Sequence, residues 1–210
     1  MSTARRQPSA AVDTRQRLLD TAEAAFAADG FHGVALGAVA AACGLGNAGL
    51  LHHFPSKAKL YLAVLDRLAA ELETRLAARL DAAAGAAARV EAALAAIDDW
   101  TIERPRAARL VLRELTDNLG RVEQARHLPL APYVATLSAV IAEGQAAGCV
   151  RQGHPLALLA QYLGALAYAL VARPTFARMQ PDDALLADEA GWIATVAAGA
   201  RACLTGGKQP

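Results

Sequence analysis

The sequence predicts an all-α protein of about nine helices, and three observations carry that prediction. Apolar residues make up 55% of the 210 positions and aromatics only 5%. The core must therefore be built of alanine and leucine, which enter a helix at least cost. No run of β-branched residues alternates with polar ones, and no Asn-Gly hairpin turn occurs, so strands have no support. Ala40, Gly44 and Leu50 stand at the spacing at which two short helices cross steeply. Such a crossing needs a small residue at the contact, a glycine to open the turn and an aliphatic facing back into the first helix. Val39, Leu45 and Phe54 fill in around those three.

Taken in order, residues 1–12 read as a flexible arm. Asp13 or Thr14 caps a first helix running to Asp29, with Leu18, Leu19, Ala22, Ala25 and Phe26 on one face, and Gly30 ends it. Leu36 to Cys43 form the second helix, Gly44 to Gly46 the turn, and Asn47 to Phe54 the third. Pro55 interrupts, and Ser56 caps a fourth helix reaching Leu80. The stretch DAAAGAAAR over 81–89 is a joint. Five more helices follow over 88–103, 105–119, 130–147, 155–173 and 183–204, punctuated by prolines and by Gly120, Gly148 and Gly153. This divides the chain into an arm (1–12), a helix-turn-helix domain (13–60) and a larger helical domain (61–210).

The formal net charge of +1 excludes nothing, because binding to nucleic acid depends on where charge lies. Residues 1–60 hold Arg5, Arg6, Arg15, Arg17, Lys57 and Lys59 against Asp13, Asp20, Glu23 and Asp29. The basic residues sit at the two ends of that segment, as phosphate contacts at the edges of a site would require. Cys43, Cys149 and Cys203 are far apart, odd in number and at no metal-like spacing, which reads as free thiols in a reducing cytoplasm. The N-terminal arginines precede no apolar run, so no signal peptide is expected. Leu156 to Ala172 is apolar enough to raise a membrane span, but it is short for one and carries Gln161, Tyr162 and Tyr168. A core helix shared with a second subunit has the same composition, and no membrane partner is expected.

From Arg17 to Leu65 the sequence resembles the TetR family of bacterial transcription regulators. The resemblance lies in RLLDTAEAAFAADGF, in AVAAACGLGNAGLLHHFPSKAKL with its HHFPSK signature, and in the apolar start of the fourth helix. Beyond residue 65 the similarity is one of length, helix count and composition. The resemblance implies an N-terminal three-helix DNA-binding domain followed by a helical ligand-binding and dimerisation domain. It further implies a homodimeric regulator, a repressor in the first instance, that binds a palindromic operator and is released by a small lipophilic or aromatic effector. Four departures stand out. Gly46 replaces the usual hydroxyl residue, Leu51 the usual aromatic, Val34-Ala35-Leu36-Gly37 lacks a threonine cap, and the third helix has no arginine or lysine.

A recognition helix sets its N-terminal residues against base edges. Here those are Asn47, Ala48, Gly49 and His52. Asn47 suits adenine and Ala48 a thymine methyl, although asparagine also caps helices well. His52 and His53 are placed to donate to a phosphate or base, or one of them packs beside Phe54. Lys57 and Lys59 begin the fourth helix, where the macrodipole disfavours a cation by about 0.3–1 kcal/mol unless an anion is bound there. Phosphate contacts are expected of both, and of Arg15 and Arg17, against the alternative that long side chains turn into water.

Small residues recur along the last two helices: Gly164, Ala165, Ala167 and Ala169, then Ala187, Ala190, Gly191, Ala194, Ala197 and Ala198. They permit close approach in a four-helix seam between subunits, or within one core. An effector pocket is expected from Trp100, Leu112, Leu115, Tyr133, Leu137, Ile141, Tyr162, Leu166 and Tyr168. No cofactor or metal is expected, and an enzyme has no support, since there is no phosphate loop or nucleophile motif and the five histidines lack metal spacing. The alternative function is a small-molecule or lipid carrier that keeps the helix-turn-helix only as scaffold.

Overall fold

The computed structural model describes residues 10–116 and 128–206. The described residues form ten helices and no strand: α1 (Ala10–Gly33), α2 (Leu36–Ala42), α3 (Asn47–His53), α4 (Lys57–Asp81), α5 (Ala86–Glu103), α6 (Pro105–Thr116), α7 (Ala131–Ala146), α8 (Pro155–Met179), α9 (Ala184–Ala187) and α10 (Glu189–Thr205). They fall into two compact units, residues 1–67 and 68–210, with α4 running from one into the other.

In the first unit, α1 begins at Ala10 rather than Asp13, because the alanines before Asp13 are good helix formers. Asp13 then lies in the first turn, where its charge suits the helix dipole. Gly30 breaks the helix as expected, with φ 70° and ψ 178°. Arg5, Arg6 and most of the predicted arm lie outside the described residues. The core consists of Leu18, Leu19, Ala22 and Phe26 from α1, Val39 and Ala40 from α2, Leu50 from α3, and Leu60, Tyr61 and Val64 from α4. Tyr61 meets Phe26 edge-on at 4.9 Å and Phe31 at 5.1 Å, closing the end of α1 over α4.

In the second unit two elements differ from the sequence prediction. α8 does not stop at residue 173 but continues through Pro174 to Met179. Proline removes the N–H that would reach the Leu170 carbonyl. Arg109 Nε supplies a donor there instead, at 3.4 Å, so the helix continues with its freed acceptor satisfied. The predicted helix over 183–204 is two, α9 and α10, parted at Asp188, whose backbone is extended (φ −94°, ψ 102°). Asp183 caps α9 by accepting from the amides of Leu185 (2.8 Å) and Leu186 (3.2 Å). The count is therefore ten helices rather than nine. The predicted end of the sixth helix, 117–119, lies outside the described residues. α8 is long and apolar enough to cross a membrane by length and composition, and 39% of its most apolar stretch is buried inside the protein.

Candidate DNA-reading and effector sites

The helix-turn-helix forms as the residues dictate. Gly44 takes φ 71°, a left-handed conformation in which a side chain would be strained. Its amide bonds the Ala41 carbonyl at 3.0 Å and the Leu45 amide bonds the Ala40 carbonyl at 2.9 Å, the paired closure of a Schellman C-cap. Ala40 and Leu50 are buried at the crossing, which leaves the opposite side of α3 open.

On that open side Asn47, Ala48 and His52 are exposed, Gly49 and His53 are half-exposed, and Leu51 is 43% exposed. The cap of α3 is Gly46, so Asn47 lies one position past the cap and does not fill that role. Its amide leans across the start of α2. A methyl group added at Gly37 would stand 3.3 Å from Asn47 Oδ1. His52 and His53 meet edge-on at 5.6 Å in the last turn of α3.

The predicted cations are engaged by the chain itself, except one. Lys57 Nζ donates to the His32 carbonyl at 3.2 Å and lies 5.0 Å over the Phe31 ring. That arrangement answers the unfavourable dipole at the start of α4 by giving the ammonium an acceptor at the end of α1. Arg17 Nη2 donates to the Cys43 carbonyl at 3.1 Å, and the Arg15 guanidinium sits 5.0 Å over the Phe54 ring. Lys59 is exposed and its side chain has no partner among the described residues. Its backbone amide is held by Ser56 Oγ at 3.2 Å, the cap expected for α4.

Sequence reasoning missed Arg67. Its guanidinium bonds Asp20 (2.5 Å), Glu23 (2.6 Å) and the Leu19 carbonyl (3.3 Å), clamping α4 to α1. Residues 44 and 47 positions apart give no local signal of such a pair. Cys43 is buried, with Thr21 Oγ1 at 3.3 Å from its sulfur, so it belongs to the packing.

In the second unit an apolar cavity of about 40 Å³ lies among α4, α5, α6, α7 and α8. Of the nine residues expected to form an effector pocket, Trp100, Leu112, Leu115, Tyr133 and Leu166 line it. Leu72, Ile97, Thr101, Ala108, Val111, Leu130, Val134 and Leu163 complete it. The other four stand elsewhere. Leu137 and Ile141 are buried farther along α7, in ordinary core packing. Tyr162 is buried with its hydroxyl donated to Asp98 at 2.5 Å. Tyr168 is 66% exposed on the outer side of α8, because the helical turn that sends Leu166 inward sends Tyr168 outward.

Asp98 was not foreseen either. This buried carboxylate on α5 accepts from Tyr162 of α8 and twice from Arg201 of α10, through Nε (2.7 Å) and Nη2 (2.5 Å). Arg201 also pairs with Glu91. Burial, reinforced by the hydrogen bond and charge of Asp98, raises the Tyr162 hydroxyl far above its ordinary pKa. Burial and then Asp98 do the same to Tyr133. The only trace in the sequence is an acid and an arginine inside otherwise apolar helices. Cys149 is partly buried and Cys203 exposed, both free thiols. Among the described residues no group of three or more His, Cys, Asp or Glu could hold a metal ion.

The comparisons with known proteins agree with the geometry. Residues 18–64 match the family model described as bacterial regulatory proteins, tetR family. No curated protein matches the chain. Among solved structures, the transcriptional regulator SCO4942 from Streptomyces coelicolor is 22% identical, with a TM-score of 0.67 over 91% of this chain and 98% of that one. A TetR-family transcriptional regulator from Agrobacterium tumefaciens is 17% identical, with a TM-score of 0.69 over 92% and 98%. AibR, solved in complex with isovaleryl coenzyme A and operator DNA, is 20% identical, with a TM-score of 0.64 over 91% and 98%. The chain thus carries the TetR-family N-terminal domain over residues 18–64, on the all-helical fold of that family's transcription regulators.

Proposed function

We propose that the protein is a cytoplasmic, non-enzymatic transcription regulator that binds a palindromic operator as a homodimer. In this reading it is a repressor, released when a small lipophilic or aromatic molecule enters the cavity of the second unit. The observation that carries the reading is α3. Its Leu50 is buried in the family's own domain while Asn47, Ala48 and His52 are left open, one turn of short side chains with nothing of the chain over them. Asn47 and Ala48 read base edges, Gly49 lets the backbone approach, and His52 and His53 meet the phosphates. Lys59 is the cation best placed for a phosphate. Lys57, Arg15 and Arg17 contribute by exchanging or sharing the partners they already hold.

Dimerisation through α8 and α10 is supported by their uncharged outer faces. Gly164, Tyr168 and Val171 on α8 and Ala194, Ala198 and Gly199 on α10 are exposed, with Val171 at 70%. A second copy laid on these faces forms a four-helix seam and sets two α3 helices against half-sites about 34–36 Å apart. That AibR was solved with both operator DNA and isovaleryl coenzyme A supports a fold able to host both kinds of ligand.

The test is footprinting on the DNA upstream of the protein's own gene, repeated across salt concentrations. A palindromic footprint whose affinity falls steeply with salt is expected. Absence of any footprint would sink the regulator and favour a carrier that keeps the helix-turn-helix as scaffold.

A further inference from the structure

We propose that the cavity in the second unit takes a small, uncharged, largely apolar molecule bearing one hydrogen-bond acceptor, such as a carbonyl or ether oxygen, which receives the Tyr133 hydroxyl. The proposal rests on the reading of this cavity as the effector site and names the chemistry of what enters it.

The polar groups of the wall decide the class. Trp100 Nε1 already donates to Glu71 at 3.1 Å, and Thr101 Oγ1 donates to the Ile97 carbonyl at 2.8 Å. Tyr133 is 6% exposed, lines the cavity, and makes no hydrogen bond among the described residues. A buried hydroxyl without a partner is a standing cost, which a ligand acceptor removes. Every other lining side chain is aliphatic.

A charged ligand is disfavoured twice. No charged side chain lines the wall among the described residues, so a buried charge would go unpaired. Asp98 follows the lining residue Ile97 on α5, and its field is felt at Tyr133. A carboxylate at that hydroxyl meets a like charge. An ammonium gains little, because both Asp98 oxygens already accept from Tyr162 and Arg201. Size limits the ligand further. About 40 Å³ holds little beyond a water molecule or two. Anything larger must displace a wall, and Leu115 of α6, 42% exposed, is its most open part.

The experiment titrates the full chain with cyclopentanone, methylcyclopentane, cyclopentanecarboxylate and cyclopentylammonium, following heat and tryptophan fluorescence. It is run on the wild type, Tyr133→Phe and the cavity-filling Ala108→Leu, each checked for an intact melting transition. Cyclopentanone should bind the wild type most tightly among the four. Tyr133→Phe should weaken it roughly threefold to tenfold and leave methylcyclopentane unchanged. The proposal is overturned if Tyr133→Phe leaves cyclopentanone unaffected, or if either charged probe binds as tightly, while the effector reading of the cavity stands. If no probe binds, or if all bind Ala108→Leu unchanged, the effector reading falls and the proposal falls with it.

Discussion

The two units are held together by different uses of their polar side chains. In the first, long cations reach main-chain acceptors and rings: Arg17 to the Cys43 carbonyl, Lys57 to the His32 carbonyl and Phe31, Arg15 to Phe54. Each contact closes the end of a short helix. In the second, buried polar groups bind one another, with Asp98 joining α5, α8 and α10 through Tyr162 and Arg201. Contacts of the first kind can be lost one at a time with modest effect. A buried carboxylate shared by three helices cannot, since removing it strands an arginine and a hydroxyl together.

The largest effect should therefore come from Asp98→Ala, destabilising the second unit by roughly 3 kcal/mol, the low end of the range for a broken buried pair because Arg201 is partly exposed. Both tryptophans, Trp100 and Trp192, lie in that unit, so urea unfolding followed by fluorescence reads it alone. A shift no larger than that of a surface substitution would dissolve the contrast.

Alkaline titration is next. Tyr133 and Tyr162 ionise far less readily when folded than when unfolded. Above about pH 10 the unfolded chain loses these protons while the folded one keeps them, so stability is full below that pH and falls above it, by at most about 1.4 kcal/mol per pH unit per tyrosine. The same fluorescence-detected unfolding, repeated from pH 8 to 11, checks the slope, and Tyr162→Phe should reduce it.

In the first unit, Arg17→Met should cost about 1 kcal/mol, one main-chain hydrogen bond, read by thermal unfolding in far-ultraviolet circular dichroism. A loss of several kcal/mol would show that this unit also hangs on a single polar contact. The smallest change has the opposite sign. Gly49 has an ordinary backbone, and an added methyl would lie 3.6 Å from Leu45, so Gly49→Ala should stabilise α3 by up to about 1 kcal/mol. If Gly49 serves close approach to DNA, the same variant binds the operator more weakly while melting higher.

The division also explains what could be read from the sequence. The helix-turn-helix was legible because Ala40, Gly44 and Leu50 act within eleven residues, and the Gly44 cap and Ser56 cap follow from residue type at a given place. The exposed face of α3 followed from periodicity. The employment of Arg15, Arg17 and Lys57 did not, since spacing places a cation without saying which carbonyl or ring it meets. In the second unit, periodicity brought Trp100, Tyr133 and Leu166 to one cavity but could not separate them from Leu137 and Ile141, which share the apolar side of α7. Pro174 looked like a helix end because its compensation, Arg109, comes from 65 residues earlier on another helix. Asp188 looked like one more polar residue in a helix, with no warning of the break.

Asn47 and Gly37 touch across the corner of the helix-turn-helix, and that contact ties two positions into one unit of inheritance. A side chain gained at 37 pushes against the amide at 47, so neither can drift without regard to the other. Where Asn47 reads a base, a mutation at a residue that never approaches the duplex becomes a mutation in the recognised sequence. Divergence of operator preference among descendants of this protein then has two doors, one on the reading surface and one behind it.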